Sequence, residues 1–409
     1  MAALAARVAT ASYRQRAPGH LSSFILPKLH NRTPRCPYTT SGPATPMVPQ
    51  PRYTYSVASS FIGKGITFDP SKHVYSYNPY RRVERTKKSK RLRPESGHDA
   101  FFVSRVGDTG AVAFGVADGV GGWVESNVDP ADFSHAFCDY MAARAYYHGA
   151  EEAERGAPRE ALTARQLMDK GYADVLHDPA IQAGGSTACV AIAAPDGTLD
   201  VANLGDSGYL LLRLNGVHAY SRAQTHEFNT PFQLSAIPPA LLARMATFGG
   251  RALCDLPRDA DVTHRSLQHG DVLVFATDGV WDNLFNQDVL HIASRVMTEW
   301  GAWQMTQSGS VCAARDLERL TLPPTVGKGE GESPAEQEAA PKKTLQSALA
   351  VAITSAARKA SLDKKILTPF AKEVRAAYPN EGWDGGKIDD ICVVVAIVSE
   401  EAPPPKARL

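Results

Sequence analysis

The stretch from Phe114 to Trp123 reads FGVADGVGGW, and the stretch from Val274 to Asp282 reads VFATDGVWD. Both begin as short apolar runs, which are typical of buried β-strands, and both then pass into an Asp-Gly pair. A single Asp-Gly pair after a strand is usually only a turn, because both residues tolerate positive φ angles. The repetition of the same design makes Asp118 and Asp278, each at the mouth of a buried strand, candidates for a functional site.

Three further acidic positions lie at predicted strand ends. Asp99 begins a strand in the stretch SGHDA, Asp206 ends one in NLGDS, and Asp389 precedes the last one in GKIDDI. Five acidic positions would repel one another, in a chain without net negative charge, unless cations lay among them. Carboxylate and carbonyl oxygens without His or Cys partners favour Mg²⁺ or Mn²⁺ over zinc.

A pair of hard cations suits one type of reaction, the in-line attack of water on phosphorus. Two ions about 4 Å apart can bridge a water molecule, lower its pKa and neutralise the phosphoryl oxygens. A glycine beside the aspartate, such as Gly119, also lets a backbone carbonyl approach a metal ion closely. The acidic positions therefore predict hydrolysis of phosphate esters with two divalent ions.

Short apolar runs that predict strands alternate with segments of helical periodicity from residue 99 onward. The turn residues at 195–197 and 215–216 predict hairpins, and therefore antiparallel strands instead of repeated βαβ units. Several strands are apolar on both faces, so helices should cover the sheets in an α+β fold. The predicted strands are Ala100–Val103, Val112–Ala117, Thr187–Ala193, Leu199–Asn203, Tyr209–Leu214, Val272–Ala276 and Ile391–Val398, and the predicted helices are Pro130–Tyr147, Leu162–Leu176, Gln287–Trp300 and Leu345–Leu362.

The overall composition excludes several classes of protein. The 409 residues include 44 Lys and Arg against 43 Asp and Glu, a balance that argues against nucleic-acid binding. No stretch approaches 18 consecutive apolar residues, so we predict no transmembrane span. The six cysteines contain no C-x-x-C pair, which argues against a zinc knuckle or a redox motif and favours a reducing compartment.

The N-terminal region has the composition of an import signal. The first 68 residues contain eight Lys or Arg and no Asp or Glu, and they are rich in Ala, Ser, Thr and Pro. We interpret residues 1–60 as a mitochondrial presequence and disordered leader, which predicts location in the matrix. The alternative is a disordered basic tail without a targeting role.

The remaining boundaries follow from composition as well. Residues 61–400 are predicted to form the catalytic domain, and residues 401–409 a disordered tail. Between residues 322 and 343, 14 of 22 residues are Pro, Gly, Glu or Lys, which cannot bury enough apolar surface to order the segment. We interpret this segment as a disordered insert, because strand signals resume after it.

The acidic motifs occur in an order that resembles the metal-dependent type-2C protein phosphatases. Between them lie GSTA at 185–188 and VANLGDS at 201–207, and the resemblance extends from about residue 95 to 398. The DGVGGW variant and the FNTPFQL segment at 228–234 resemble the mitochondrial subgroup. The resemblance implies an αββα sandwich of two antiparallel sheets flanked by helices. It also implies hydrolysis of phosphoserine and phosphothreonine by a metal-bridging water, without a phosphoenzyme.

The resemblance also assigns roles to individual residues. Asp118 would bridge two ions, Mn²⁺ or Mg²⁺, and Gly119 would offer its carbonyl to one of them. Asp278 and Asp389 would complete the shell of that ion, and Asp99 would hold the other ion through waters. Asp118 and Asp278 are therefore the predicted catalytic residues.

Several positions depart from the family pattern or match it less firmly. Asp206 matches a position at which some members hold a weaker third ion, and Arg93 is the candidate for binding substrate phosphate. Val120 stands where many members carry a histidine that is proposed as the general acid, so water, His98 or a substrate group could take that role. Asp390 replaces the commoner asparagine and adds negative charge near the ions.

The predicted partners are phosphorylated protein substrates, and we expect a monomer. Membership of the mitochondrial subgroup would imply matrix enzymes as targets, with coenzyme Q biosynthesis as the pathway. Two alternatives remain at this point. A catalytically dead scaffold of the same fold would normally lack one of the metal-binding aspartates, whereas a phosphatase for small molecules could use the same site.

Overall fold

The computed structural model describes residues 52–150, 160–247, 253–322 and 343–401. Most of the predicted leader, nearly all of the predicted insert and all but the first residue of the predicted tail lie outside the described residues. The strands are β1 Tyr53–Ile62, β2 Val74–Ser76, β3 Asp99–Arg105, β4 Val112–Asp118, β5 Gly184–Ser186, β6 Ala188–Ala193, β7 Thr198–Leu204, β8 Gly208–Arg213, β9 Gly216–Tyr220, β10 Thr225–Glu227, β11 Thr230–Pro231, β12 Leu234–Ala236, β13 Asp261–Ser266, β14 Val272–Ala276, β15 Trp303–Met305, β16 Val311–Ala313 and β17 Ile391–Glu400. The α-helices are α1 Pro130–Tyr146, α2 Ala164–His177, α3 Pro239–Thr247, α4 Asp278–Trp281, α5 Asn286–Glu299, α6 Leu317–Thr321, α7 Leu345–Leu362 and α8 Pro369–Ala377.

Two antiparallel sheets form the centre of the fold. One has six strands in the order β2-β1-β17-β14-β8-β9, and the other has five in the order β13-β7-β6-β4-β3. The hairpin predicted at Asn215 joins β8 to β9, and both Leu214 and Asn215 have positive φ there. Neighbouring strands in both sheets pair antiparallel, as the turn residues predicted.

Strands that are apolar on both faces contribute to two cores at once. In β17, Val394 faces the space between the sheets, whereas Val393 and Val395 face the layer of helices on the outside. Phe114 from one sheet and Phe275 from the other meet between the sheets, with ring centroids 5.1 Å apart. This arrangement follows from the two-residue period of a strand, because successive side chains point to opposite faces.

Helices close the outer faces of both sheets. On the five-stranded sheet, the apolar side of α1, which includes Phe133, Phe137 and Met141, packs with α2 against the sheet. On the six-stranded sheet, α5 and α7 supply the corresponding layer. The observed architecture is the predicted α+β sandwich with helices on both sides.

The predicted end of the leader at residue 60 is wrong, because Tyr53–Ile62 forms strand β1. This strand pairs with β17 along its whole length, from Tyr53 opposite Glu400 to Ile62 opposite Ile391. Its Ser59 and Ser60 are fully buried, and the Ser60 hydroxyl donates to the carbonyl of His73 at 2.9 Å. Serine and threonine made the strand resemble the leader, and its pairing partner lies more than 300 residues away in sequence.

Candidate active site

The ends of β3, β4 and β14 bring three of the predicted aspartates together. Asp99 and Asp118 lie directly opposite each other in the β3–β4 pair. The Thr277 hydroxyl, next to Asp278 at the end of β14, donates a hydrogen bond to Asp99 Oδ2 at 2.7 Å. This bond links the ends of the two sheets, so Asp118 and Asp278 reach the cluster from opposite sheets.

Glycines allow the backbone to pass closely at both Asp-Gly pairs. The N–H of Gly119 donates to the carbonyl of His98 at 3.1 Å, and a Cβ at Gly119 would lie only 2.7 Å from the Pro130 carbonyl oxygen. A Cβ at Gly279 would collide with the Asp390 carbonyl oxygen. The glycine in each pair is therefore required by a close backbone approach, in addition to any role of its carbonyl.

The structure adds two charged residues that sequence reasoning missed, Lys387 and Asp282. The Lys387 ammonium lies 2.7 Å from Asp278 Oδ2, 2.7 Å from Asp282 Oδ2 and 3.3 Å from Asp389 Oδ2. Asp282 lies one helical turn after Asp278, so the spacing of four residues in DGVWD was a signal for a shared face. No sequence signal indicated that Lys387, two residues before Asp389, turns inward.

Burial and the charges of neighbouring aspartates raise the pKa values of Asp99, Asp118 and Asp389. Burial raises the pKa of Asp118 well above its usual range, and the negative charges of Asp278 and Asp99 raise it further. Burial, followed by the charge of Asp390, likewise raises the pKa of Asp99. Burial and Asp278 raise the pKa of Asp389, although Lys387 opposes this shift. The Lys387 ammonium therefore offsets only part of the negative charge of these carboxylates.

Asp206 reaches the same cluster from the turn between β7 and β8. Gly205 has a φ of 100° at this turn, a conformation that favours glycine. Burial and the charge of Asp278 raise the pKa of Asp206 to about 7. Its Oδ1 atom is buried and has no hydrogen-bond partner within the described part of the chain. An unpaired buried oxygen of this kind fits a site that accepts a cation.

Asp390 has a structural role that the sequence did not reveal. Its Oδ1 accepts a hydrogen bond from the N–H of Lys64 at 2.7 Å, and its Oδ2 accepts one from the N–H of His98 at 2.9 Å. One carboxylate oxygen therefore holds the loop after β1, and the other holds the chain that leads into Asp99. Its negative charge also acts on Asp99, whose pKa is raised by burial and then by Asp390.

Arg93 lies beside α1, where it forms ion pairs. Its guanidinium contacts Asp132 Oδ1 at 2.7 Å and lies 3.9 Å from Asp129, and its side chain is 12% exposed. Among the residues that the structure describes, no hydrogen bond or ion pair joins Arg93 to Asp118, Asp278 or their neighbours in the cluster. The assignment of Arg93 to substrate phosphate stays a prediction.

The segment after β10 forms one wall beside the cluster. The indole N–H of Trp123 donates to Gln233 Oε1 at 3.1 Å, and the Lys387 ammonium donates to Asn229 Oδ1 at 3.2 Å. A cavity of about 380 Å³ opens next to Asp206, and Tyr209 and Trp281 also line it. These features place a concave, partly apolar surface next to the acidic cluster, where part of a substrate could lie.

The donor set fits hard divalent ions. Its members are carboxylate oxygens from both sheets, with the carbonyl of Gly119 nearby, and such oxygens are the ligands that Mg²⁺ and Mn²⁺ prefer. In the described ranges, no three His, Cys, Asp or Glu side chains already converge as a finished metal site. Instead, the Lys387 ammonium occupies a cation position among them.

Comparison with known proteins identifies the family. The family model described as protein phosphatase 2C matches residues 88–310, more than half of the chain. The chain is a member of the protein phosphatase 2C family. It is therefore a metal-dependent protein serine/threonine phosphatase, as the order of acidic motifs predicted.

Relatives lie in the subgroup that the DGVGGW motif indicated. Protein phosphatase 2C homolog 7, mitochondrial, of Saccharomyces cerevisiae is 34% identical over 198 residues, which cover 48% of this chain and 56% of the yeast protein. The protein phosphatase PTC7 homolog fig of Drosophila virilis is 34% identical over 306 residues, with 73% of this chain and 77% of the relative covered. The protein phosphatase PTC7 homolog of Homo sapiens is 30% identical over 308 residues, with 74% and 80% covered.

Solved structures confirm the fold. The photosystem II phosphatase PBCP superimposes with a TM-score of 0.53 at 23% sequence identity, and the match covers 84% of this chain and 98% of that protein. The predicted sandwich of two antiparallel sheets is thus confirmed. In the described segments, no helix has both the length and the apolar content needed to cross a membrane.

Proposed function

We propose that this phosphatase hydrolyses phosphoserine and phosphothreonine in proteins with two divalent ions, Mn²⁺ or Mg²⁺, held by the acidic cluster. The observation that carries the proposal is the convergence of Asp99, Asp118 and Asp278 from opposite sheets. Burial and the charges of neighbouring aspartates disfavour the ionised forms of Asp99 and Asp118, so the binding of cations should stabilise the cluster. The family is metal-dependent; the number of ions is the proposed part.

We propose the following division of roles. Asp118, in the middle of the cluster, would bind both ions, and the Gly119 carbonyl with Asp278 and Asp389 would complete one shell. Asp99 would support the other ion from its buried position beside Thr277. When bound, the ions supply positive charge that lowers the pKa of a water molecule and offsets the charge of the phosphoryl oxygens.

The environment of the nearby hydroxyl groups supports direct hydrolysis without a phosphoenzyme. Ser186 and Thr187 are fully buried. The Ser186 hydroxyl donates to the carbonyl of Asp118 at 2.8 Å, and the Thr187 hydroxyl pairs with that of Ser207 at 2.7 Å. Both hydroxyls are thus engaged in holding the backbone around Asp118, and neither is free to act as a nucleophile.

The test is hydrolysis of phosphoserine and phosphothreonine peptides by the full-length protein with Mn²⁺, Mg²⁺ or chelator. Activity should require a divalent ion, and Asp118→Asn should lower turnover about 10³-fold or more, because the lost charge faces both ions. Unchanged activity in excess chelator would refute the proposal. Metal binding without turnover would favour the scaffold, and turnover of sugar phosphates alone would favour a small-molecule phosphatase.

We propose the mitochondrial matrix as the site of action, with phosphorylated matrix enzymes, including those of coenzyme Q biosynthesis, as substrates. The absence of acidic residues before Asp69 and the name of the yeast relative support this proposal. A fusion of residues 1–60 to a fluorescent protein should enter mitochondria and be shortened there. A diffuse cytosolic signal would contradict it.

A further inference from the structure

The ammonium of Lys387 lies between two aspartates of the acidic cluster, Asp278 and Asp282. Its side chain is 17% exposed, and its ammonium makes two contacts of 2.7 Å, to Asp278 Oδ2 and to Asp282 Oδ2. These distances are typical of charge-assisted hydrogen bonds. Lys387 therefore lies where a metal ion bound between these two carboxylates would lie.

Neutral groups hold the ammonium in place from its other sides. Asn229 Oδ1 accepts a hydrogen bond from it at 3.2 Å, and the ring of Phe370 lies 5.2 Å away in a cation–π contact. Phe370 in turn packs against Phe228 and Trp383. A lysine fixed by a carboxamide and an aromatic ring is a built part of the site, since a solvated lysine would not need these contacts.

The contacts of Lys387 leave ligand atoms free for other cations. It uses the Oδ2 atoms of Asp278 and Asp282, and no hydrogen bond from a described residue reaches Oδ1 of Asp278. Asp206 completes this side of the cluster with its unpaired, buried Oδ1. Without the ammonium, no described cation would lie between the Oδ2 atoms of Asp278 and Asp282.

We propose that Lys387 is a permanent internal cation that takes the place of a further metal ion between Asp278 and Asp282, so that the protein binds only two divalent ions. The inference rests on the proposed two-ion function and deepens it. The ammonium neutralises part of the cluster in the metal-free protein. It excludes a third ion because an ion bound between the same two carboxylates would lie next to the ammonium and be repelled by its charge.

The test counts bound Mn²⁺ by equilibrium dialysis and metal analysis of the full-length protein. Wild type should bind two ions per chain, and Lys387→Met should bind three. Lys387→Arg keeps the charge and should bind two. Lys64→Met is the matched control, because Lys64 also lies near the cluster, 3.8 Å from Asp389, but is 53% exposed; it should bind two ions.

The melting temperature in chelator supplies a second readout that does not depend on activity. Lys387→Met should melt about 5 °C or more below wild type, because its carboxylates lose their buried counter-charge. If this variant folds only in Mn²⁺, as judged by circular dichroism, the ions are counted in that state and the dependence itself supports the proposal.

Two outcomes would overturn the inference. Two ions in Lys387→Met would show that the ammonium excludes no ion, and three ions in wild type would show that it replaces none. The first result overturns the role of Lys387 alone. The second also overturns the proposed number of ions, whereas metal-dependent hydrolysis of phosphopeptides would still stand. A wild-type protein that binds no Mn²⁺ would overturn the proposed function together with this inference.

Discussion

Two regions of the molecule bury charge in different ways. At the six-stranded sheet, Asp271 is fully buried and forms a two-pronged pair with Arg213, whose Nε and Nη2 atoms each donate to a different carboxylate oxygen at 2.7 Å. Its Oδ2 also accepts the N–H of Gln268 at 2.8 Å. At the acidic cluster, the Lys387 ammonium is shared by Asp278, Asp282 and Asp389, and the exposed Lys64 lies 3.8 Å from Asp389.

The difference separates a structural ion pair from a site that takes cations from solution. One arginine against one aspartate leaves no net charge and no free hydrogen-bonding atom, so the pair needs nothing further. Several carboxylates around one ammonium leave an excess of negative charge in a buried site. This excess lowers the free energy of unfolding of the protein until cations bind. Removing an aspartate should therefore have opposite consequences in the two regions.

The largest expected effect is on catalysis. Asp278→Asn should lower phosphopeptide turnover about 10³-fold or more, and adding Asp118→Asn should lower it little further, because both side chains serve the same ions. Steady-state kinetics in saturating Mn²⁺ would measure this. Asp271→Asn is the matched control and should keep its turnover per folded molecule. Multiplicative losses in the double variant would contradict the shared role.

The reverse holds for stability. Asp271→Asn should lower the free energy of unfolding by about 3–5 kcal/mol, because Arg213, only 18% exposed, would lose its counter-charge. Urea denaturation monitored by tryptophan fluorescence, in chelator, would measure it. Asp278→Asn, under the same conditions, should cost much less. Equal losses in the two variants would show that the cluster is balanced in charge without metal.

His135 is a third kind of buried titratable group, because it stays neutral instead of pairing with an opposite charge. Burial, aided by the charge of Arg93, lowers the pKa of His135 to about 4. The unfolded chain binds a proton near the usual pKa of about 6.5, so stability should fall as the pH drops from 6.5 towards 4, by about 3 kcal/mol in total. His135→Gln should remove this part of the acid sensitivity in urea denaturation at pH 7 and pH 4.5. An unchanged difference between the two pH values would contradict the shifted pKa, and His177→Gln, at the exposed end of α2, serves as the control.

The smallest expected effect is stabilisation by metal. Mn²⁺ at about 100 times its dissociation constant should stabilise wild type by about 2.7 kcal/mol, through preferential binding to the folded state. Asp118→Asn should gain less, although in chelator it should melt at the same or a higher temperature than wild type, because one repelling charge is gone. Differential scanning calorimetry would compare them. Equal stabilisation of both proteins by Mn²⁺ would argue against Asp118 as a ligand.

Local sequence patterns predicted the elements whose apolar residues follow the period of a strand or of a helix. The apolar run Val272–Ala276 and the helical period of Leu345–Leu362 appear with the same bounds in the structure. Strand β1 was missed because its buried serines find their hydrogen-bond partners outside the strand, for example the carbonyl of His73 for Ser60. The sequence predicted only the negative charge of Asp390. Its structural role was missed because the two N–H groups that it binds belong to loops far away in sequence.

The sequence by itself determined the family, the sandwich and the five acidic strand ends, because strand periodicity and Asp-Gly turns are written in neighbouring residues. Only the tertiary structure decided how those charges are shared. Nothing in the stretch GKIDDI predicts that Lys387 is buried, and its contact with Asp282 joins residues 105 positions apart. Coulomb interactions depend on distance in space and on burial, and both are products of the fold.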